Sequence, residues 1–155
     1  MVRASTDELV AALLTASRAL VGVSAESLAA VEEKITLTQF RTLVVISQHG
    51  EITIVGLAER LAVNPSSAQR QVDKLVRAGM VTRVENPEDR RELMVSLAEA
   101  GQLVVDEVTA RRRQALARIV RKLRAEDHAR LIEALQAFAT ASGEPPLDEA
   151  AALGW

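Results

Sequence analysis

NPSSAQRQVDKLVRAG, residues Asn64 to Gly79, is the stretch whose reading decides the fold. Asn64 is a strong helix N-cap, and Pro65 suits the first helical position, where its missing N–H would have no partner anyway. Gly79 stands where helices commonly end on a left-handed residue. Between these signals Ala68, Val72, Leu75 and Val76 fall at i, i+4, i+7 and i+8, which sets them on one face. Ser66, Ser67, Arg70 and Lys74 occupy the opposite face. The stretch is a short helix held by one side and offering hydroxyl, guanidinium and ammonium groups from the other.

The segment downstream of it is equally specific. Met80–Val84 and Glu92–Leu97 read as two short strands, and Glu85–Arg91 (ENPEDRR) reads as a polar turn between them. Asn86–Pro87 opens that turn, and the charges around it are too costly to bury. A helix ending in glycine, followed by a hairpin with two adjacent arginines at its tip, is the plan of a winged helix-turn-helix. In that plan the helix enters a major groove, and the hairpin reaches the adjacent backbone or minor groove.

Upstream, Thr53 caps a helix over Ile54–Leu61 with Val55, Leu57, Ala58 and Leu61 as its apolar positions. The link Ala62–Val63 is so short that this helix and the next must cross steeply. Glu51–Ile52 adds a short edge strand to the hairpin. Thr38 is read as the cap of a helix Gln39–Gln48, packed through Phe40, Leu43, Val44 and Ile46. His49 sits in its last turn, where the dipole favours it. Thr6–Glu8 opens the first helix, which runs through Leu9, Leu13, Ala16, Leu20 and Val23 to about Val31 with small residues at Ala11, Ala12, Ala16 and Ala19. Ala98–Arg124 is a long helical pattern, and Glu126–Asp127 open a last helix carrying Leu131, Ile132, Leu135 and Phe138. Gly143-Glu-Pro-Pro146 breaks the regularity, and Leu147–Trp155 is a short amphipathic tail.

Composition bounds the function. A chain of 155 residues with 48% apolar content makes one domain with a real core, and 2% aromatics amid abundant Ala, Leu and Val favours helix. The fold class is therefore mostly α (α+β), a winged helix-turn-helix with long N- and C-terminal helices. The organisation expected is a dimerisation helix over 1–35, a DNA-binding lobe over 36–98, dimerisation helices over 99–142 and a tail over 143–155. Those terminal helices carry more apolar face than a compact lobe can cover, which a second copy of the chain would cover. With no cysteine and two distant histidines, His49 and His128, neither a metal site nor a cofactor is expected. No signal segment and no apolar run of membrane length stand out, so a soluble cytoplasmic protein is expected.

The net charge of −2 is unevenly spread. Arg60 to Val84 holds five bases against Asp73 alone, a local +4 that leaves −6 for the remainder. Phosphate attraction acts within a Debye length, about 8 Å at physiological salt, so a basic element on an acidic body still binds DNA. Arg70 has the fork geometry for guanine O6/N7, with a phosphate clamp as the open alternative. Ser66 and Ser67, at the helix N-terminus, suit phosphate. Gln69 and Gln71 are adenine candidates, one of them merely flanking the groove. Lys74 suits the backbone, while Arg77 and Arg83 either reach phosphates or pair with acids. The run of seven bases from Arg111 to Arg124 is spread around a helix axis and reads as a solvated face with some ion pairs between subunits. No nucleophile–base spacing and no glycine-rich phosphate loop support an enzyme. The alternative to operator binding is a winged helix used only for protein contacts, which would not need paired arginines beside a basic helix.

Taken together, LTQFRTLVVI, ITIVGLAERLAVNPSSAQRQVDKLVRAGMVTR and ENPEDRRELMVSLAEAG resemble the MarR-type (multiple antibiotic resistance regulator) winged-helix transcription factors. The likeness covers Leu9 to Phe138, with Leu57-Ala-Glu-x-Leu61, Asp73-Lys-Leu75, Gly79, Arg83 and Asp89-Arg-Arg91 in register. It implies a homodimeric regulator, a repressor by expectation, on a pseudo-palindromic double-stranded DNA operator, with wings in the flanking minor grooves. It implies Arg91 as the minor-groove residue, Asp89 as its structural support and Arg90 near phosphate. It further implies a small aromatic or phenolic ligand, bound near Phe40 and Leu43, which releases the operator. Many relatives have Thr-Arg where this chain has Gln69-Arg70-Gln71, a difference bearing on the preferred bases.

Overall fold

The computed structural model describes residues 5–31 and 35–143; the tail reading at Leu147–Trp155 lies outside them. Among the described residues, six helices and three strands follow in the order α1 (Thr6–Ala29), α2 (Leu37–His49), β1 (Glu51–Thr53), α3 (Ile54–Leu61), α4 (Pro65–Arg77), β2 (Val81–Glu85), β3 (Leu93–Leu97), α5 (Glu99–Val120) and α6 (Ala125–Ser142). The strands form an antiparallel sheet in the order β1-β3-β2. The expected mostly helical winged helix-turn-helix is the fold observed.

Local chemistry explains the boundaries and corrects several of them, β2 also running on through Glu85 and β3 beginning at Leu93. Helix α2 starts on Thr36 rather than Thr38: Thr36 Oγ1 accepts from Gln39 N at 3.2 Å and Gln39 Oε1 accepts from Thr36 N at 2.9 Å. Only Thr36 has a glutamine three residues on, and that reciprocal box satisfies two orphan donors at once. The same device moves the cap of α1 from Thr6 to Ser5, which is paired with Glu8; these bonds hold the Glu8 carboxyl below its ordinary range. Strand β2 starts at Val81 because Met80 is committed elsewhere, its N–H to Leu75 O at 2.9 Å and its carbonyl to Ala98 N at 3.0 Å. Helix α5 stops at Val120, and Arg124 leads into α6 through ion pairs with Glu126 and Asp127.

The core lies where α2, α3, α4, the sheet and the first half of α5 converge. Phe40, Leu43, Ile46, Leu57, Val72, Leu75, Val95, Val105 and Val108 are all buried there. Helix α1 packs along α5, yet Leu9, Leu13, Leu14 and Leu20 stay exposed. No residue of α6 is buried, and Leu135 and Phe138 are 52% and 51% exposed. The surplus apolar face read from the sequence is therefore real on these two helices. By length and composition α1 is also apolar enough to cross a membrane, which corrects the expectation that no run reached that length. Its packing against α5 and its capped, acidic first turn instead suit a helix lying against protein.

Candidate nucleic-acid interface

The turn between α3 and α4 sets the direction of α4. Ala62 adopts φ 54 and ψ 44, the left-handed region, and Val63 N bonds Ala58 O at 3.0 Å, so the chain reverses within two residues. Asn64 then caps α4: its Oδ1 accepts from Ser67 N at 2.8 Å and from Ser66 Oγ at 2.7 Å. Ala68, Val72 and Leu75 turn inward. At about 100° per residue the outward side centres on Ser66, Arg70 and Arg77, with Ser67, Gln71 and Lys74 on one flank and Gln69 and Asp73 on the other. Arg70 is exposed and its Nη2 donates to Ser67 Oγ at 3.1 Å.

The wing is pinned by its own turn. Asp89 Oδ1 accepts from Arg91 N at 2.9 Å, and its carbonyl accepts from Glu92 N at 2.9 Å. Asn86 Oδ1 accepts from Glu88 N at 3.0 Å, while Asn86 Nδ2 reaches Glu92 Oε2 at 3.1 Å. Asp89 thus supports the tip through backbone bonds, and Arg90 and Arg91 both remain exposed. Arg91 lies on the helix side of the wing, where it lines a cleft of about 200 Å³ with Thr53, Val55 and Gln69.

Of the α4 and wing candidates, Gln69 and Arg91 are thereby brought to one cleft. Phe40 and Leu43 are not among them: both have zero exposure within the core, so the proposed ligand-lining pair is packing in this conformation. Arg83 resolves to the acid-paired alternative, forming an ion pair with Asp73. Arg77 Nε turns back onto Asp73 O at 3.2 Å.

Comparison with known proteins gives the family. The MarR family profile matches residues 35–93. The HTH-type transcriptional repressor MdtR of Bacillus subtilis (strain 168) is 30% identical over 125 residues, which is 79% of this chain and 81% of MdtR. The chain belongs to the MarR family.

Solved structures share the fold. The crystal structure of RV1404 from Mycobacterium tuberculosis shares 46% identity at a TM-score of 0.88, covering 93% of this chain and 99% of that one. Wild-type MarR from E. coli in its apo form shares 25% identity at a TM-score of 0.70, covering 89% and 98%. MarR-family members are transcriptional regulators rather than enzymes, and the regulatory reading of this chain stands on that membership. One element of the site escaped sequence reasoning, the contact of Asp73 with both Gln69 and Arg83. The i, i+4 spacing of Gln69 and Asp73 was a visible signal; Arg83 depends on the tertiary fold. On the basic stretch of α5, Arg111 pairs with Glu107 and Arg118 with Glu26, in keeping with a solvated face, although these pairs lie within one chain.

Proposed function

We propose that this MarR-family chain is a cytoplasmic, homodimeric repressor that binds a pseudo-palindromic operator and leaves it when a small aromatic or phenolic molecule binds. The observation that supports the DNA half is that Gln69 of α4 and Arg91 of the wing line one cleft, with Arg70 exposed on the adjoining face of α4. Residues 36–98 form the DNA-binding lobe, residues 1–35 and 99–142 the dimerisation part. Arg70 takes a guanine or clamps phosphate, Ser66, Ser67 and Lys74 hold the backbone, Gln69 and Gln71 stand at the groove's two sides, and Arg90 and Arg91 work at the wing. A ligand that reached Phe40 and Leu43 would have to open the core, so release would come with movement of α2 against α5. The dimer half is supported by the exposed apolar residues of α1 and α6.

The experiment is a gel shift with the DNA immediately upstream of the chain's own gene against a scrambled duplex of equal length and composition, at one fixed salt concentration. Retardation of the first duplex alone is the expected result. Equal binding to both would leave only non-specific phosphate attraction, and no binding to either would favour a winged helix used for protein contacts.

A further inference from the structure

Gln69 and Asp73 occupy the wing-side flank of α4, and Gln69 Nε2 donates to Asp73 Oδ1 at 3.0 Å. The same carboxylate oxygen is held by Arg83 Nη2 of β2. Arg83 gets there because it lies opposite Val95 in the β2–β3 pairing, and Val95 is a core residue. Directly opposed residues share a face, so Arg83 emerges on the side of the sheet that faces the helices. Asp73 and Arg83 are partly exposed, with side chains 37% and 31% accessible, so the pair is a clamp at the surface and not a buried charge.

An ionised carboxylate only accepts hydrogen bonds, whereas a glutamine amide has one accepting and one donating end. Only the NH₂ end of Gln69 can therefore face Asp73, and the flip of the amide is decided by chemistry. Nε2 carries two hydrogens. With the hydrogen trans to Oε1 given to Asp73, the other is left beside Oε1 as a donor–acceptor pair. That pair is the pattern adenine complements with N7 and its N6 amino group in the major groove. We propose that Gln69 is an adenine reader and that Asp73, clamped by Arg83, is the positioning residue that sets its amide in the reading orientation. This rests on the DNA-binding reading above and names one base of the operator code. The neighbouring Gln71 has no carboxylate four residues on, Leu75 standing there instead, so the two glutamines are not equivalent.

The test is selection from a randomised duplex pool of about 30 base pairs, long enough for two half-sites a helical turn apart. The wild-type protein should enrich an adenine at one position per half-site. Gln69→Ala should relax that position alone, by about five- to 150-fold in relative affinity, the span of one bidentate base contact. Asp73→Asn should relax the same position, because an asparagine partner accepts either flip of the amide. Gln69→Glu should move the preference toward cytosine, which offers a donor only. If Asp73→Asn fails to fold, Arg83→Gln, which frees the carboxylate but leaves it in place, should weaken the adenine preference in part. In the wild-type protein, side-chain amide NMR should show one Gln69 Nε2 hydrogen shifted downfield and slow to exchange. A consensus that Gln69→Ala leaves unchanged would overturn the proposal, as would a Gln69-dependent position indifferent to both Asp73→Asn and Arg83→Gln. Either result leaves operator binding intact. A pool that fails to enrich at all overturns operator binding and this proposal together.

Discussion

Gly101 lies against the carbonyl of Met80 so closely that a Cβ on it would overlap the oxygen. The same carbonyl accepts from Ala98 N at 3.0 Å, so the first turn of α5 rests on the junction between α4 and β2. The long helix is thereby keyed to the reading head by backbone contact. At this point α5 meets backbone rather than a side chain that could swing aside.

Gly101→Ala should therefore destabilise the lobe, since the neighbouring atom is backbone and cannot swing aside. Overpacking of this kind costs about 1–3 kcal/mol. Urea unfolding followed by circular dichroism reads it as a lower midpoint with an unchanged slope. A midpoint equal to the wild type would mean that α5 can step away from Met80 freely.

Ala62 invites the opposite change. It is the only non-glycine residue with positive φ among the described residues, and the left-handed region costs an L-residue about 1–2 kcal/mol. Ala62→Gly removes that cost but adds freedom to the unfolded chain, so the net gain should be a fraction of this, about 0.5–1 kcal/mol. The expected outcome is a melting temperature above the wild type with operator affinity unchanged.

These two residues also mark where the sequence stopped being readable. The caps of α3 and α4, at Thr53 and Asn64, were legible because each is a short-range hydrogen bond to the third residue onward. The cap of α2 lies two residues before Thr38 because two threonines compete there, and the choice turns on Gln39. Gly101 looks like any glycine in a helical pattern, since what forbids a side chain is Met80 twenty-one positions earlier. Arg83 was ambiguous for the same reason: its acid partner lies on another element and becomes its neighbour only through the sheet register. Phe40 and Leu43 show the limit of apolar character, which is identical in a pocket wall and in a core.

Association should depend on α6. Leu135 is 52% exposed in the single chain, so Leu135→Asp costs the isolated fold little, but in a dimer it would bury an unpaired charge. Wild-type protein at micromolar concentration should sediment at about twice the 16.7 kDa chain mass, with the variant shifted toward that mass itself. Helicity should persist, and operator affinity should fall because two linked half-site contacts become independent. A variant that kept the dimer mass would place the interface elsewhere.

The two arginines of the interface should fail in different ways. Arg70 projects from the exposed face of α4 and Arg91 from the wing, and neither contributes to the core. Both alanine variants should therefore keep the wild-type helicity and melting temperature. If Arg70 forks onto a guanine, Arg70→Ala should cost about 1–3 kcal/mol per half-site and relax the preference at one base pair. Its bond to Ser67 Oγ has to break first, so Ser67→Ala should bind at least as tightly unless that hydroxyl also holds a phosphate. Arg91→Ala should instead weaken binding with little change at major-groove positions, and most where the flanking minor groove is narrow and A·T-rich. The measurement is affinity across a panel of single base-pair substitutions at one salt concentration, repeated at a second to obtain the salt slope. Arg70→Ala lowering affinity equally for every duplex, with a shallower slope, identifies a phosphate clamp. If neither substitution changed affinity, α4 and the wing would not be the surface that meets DNA.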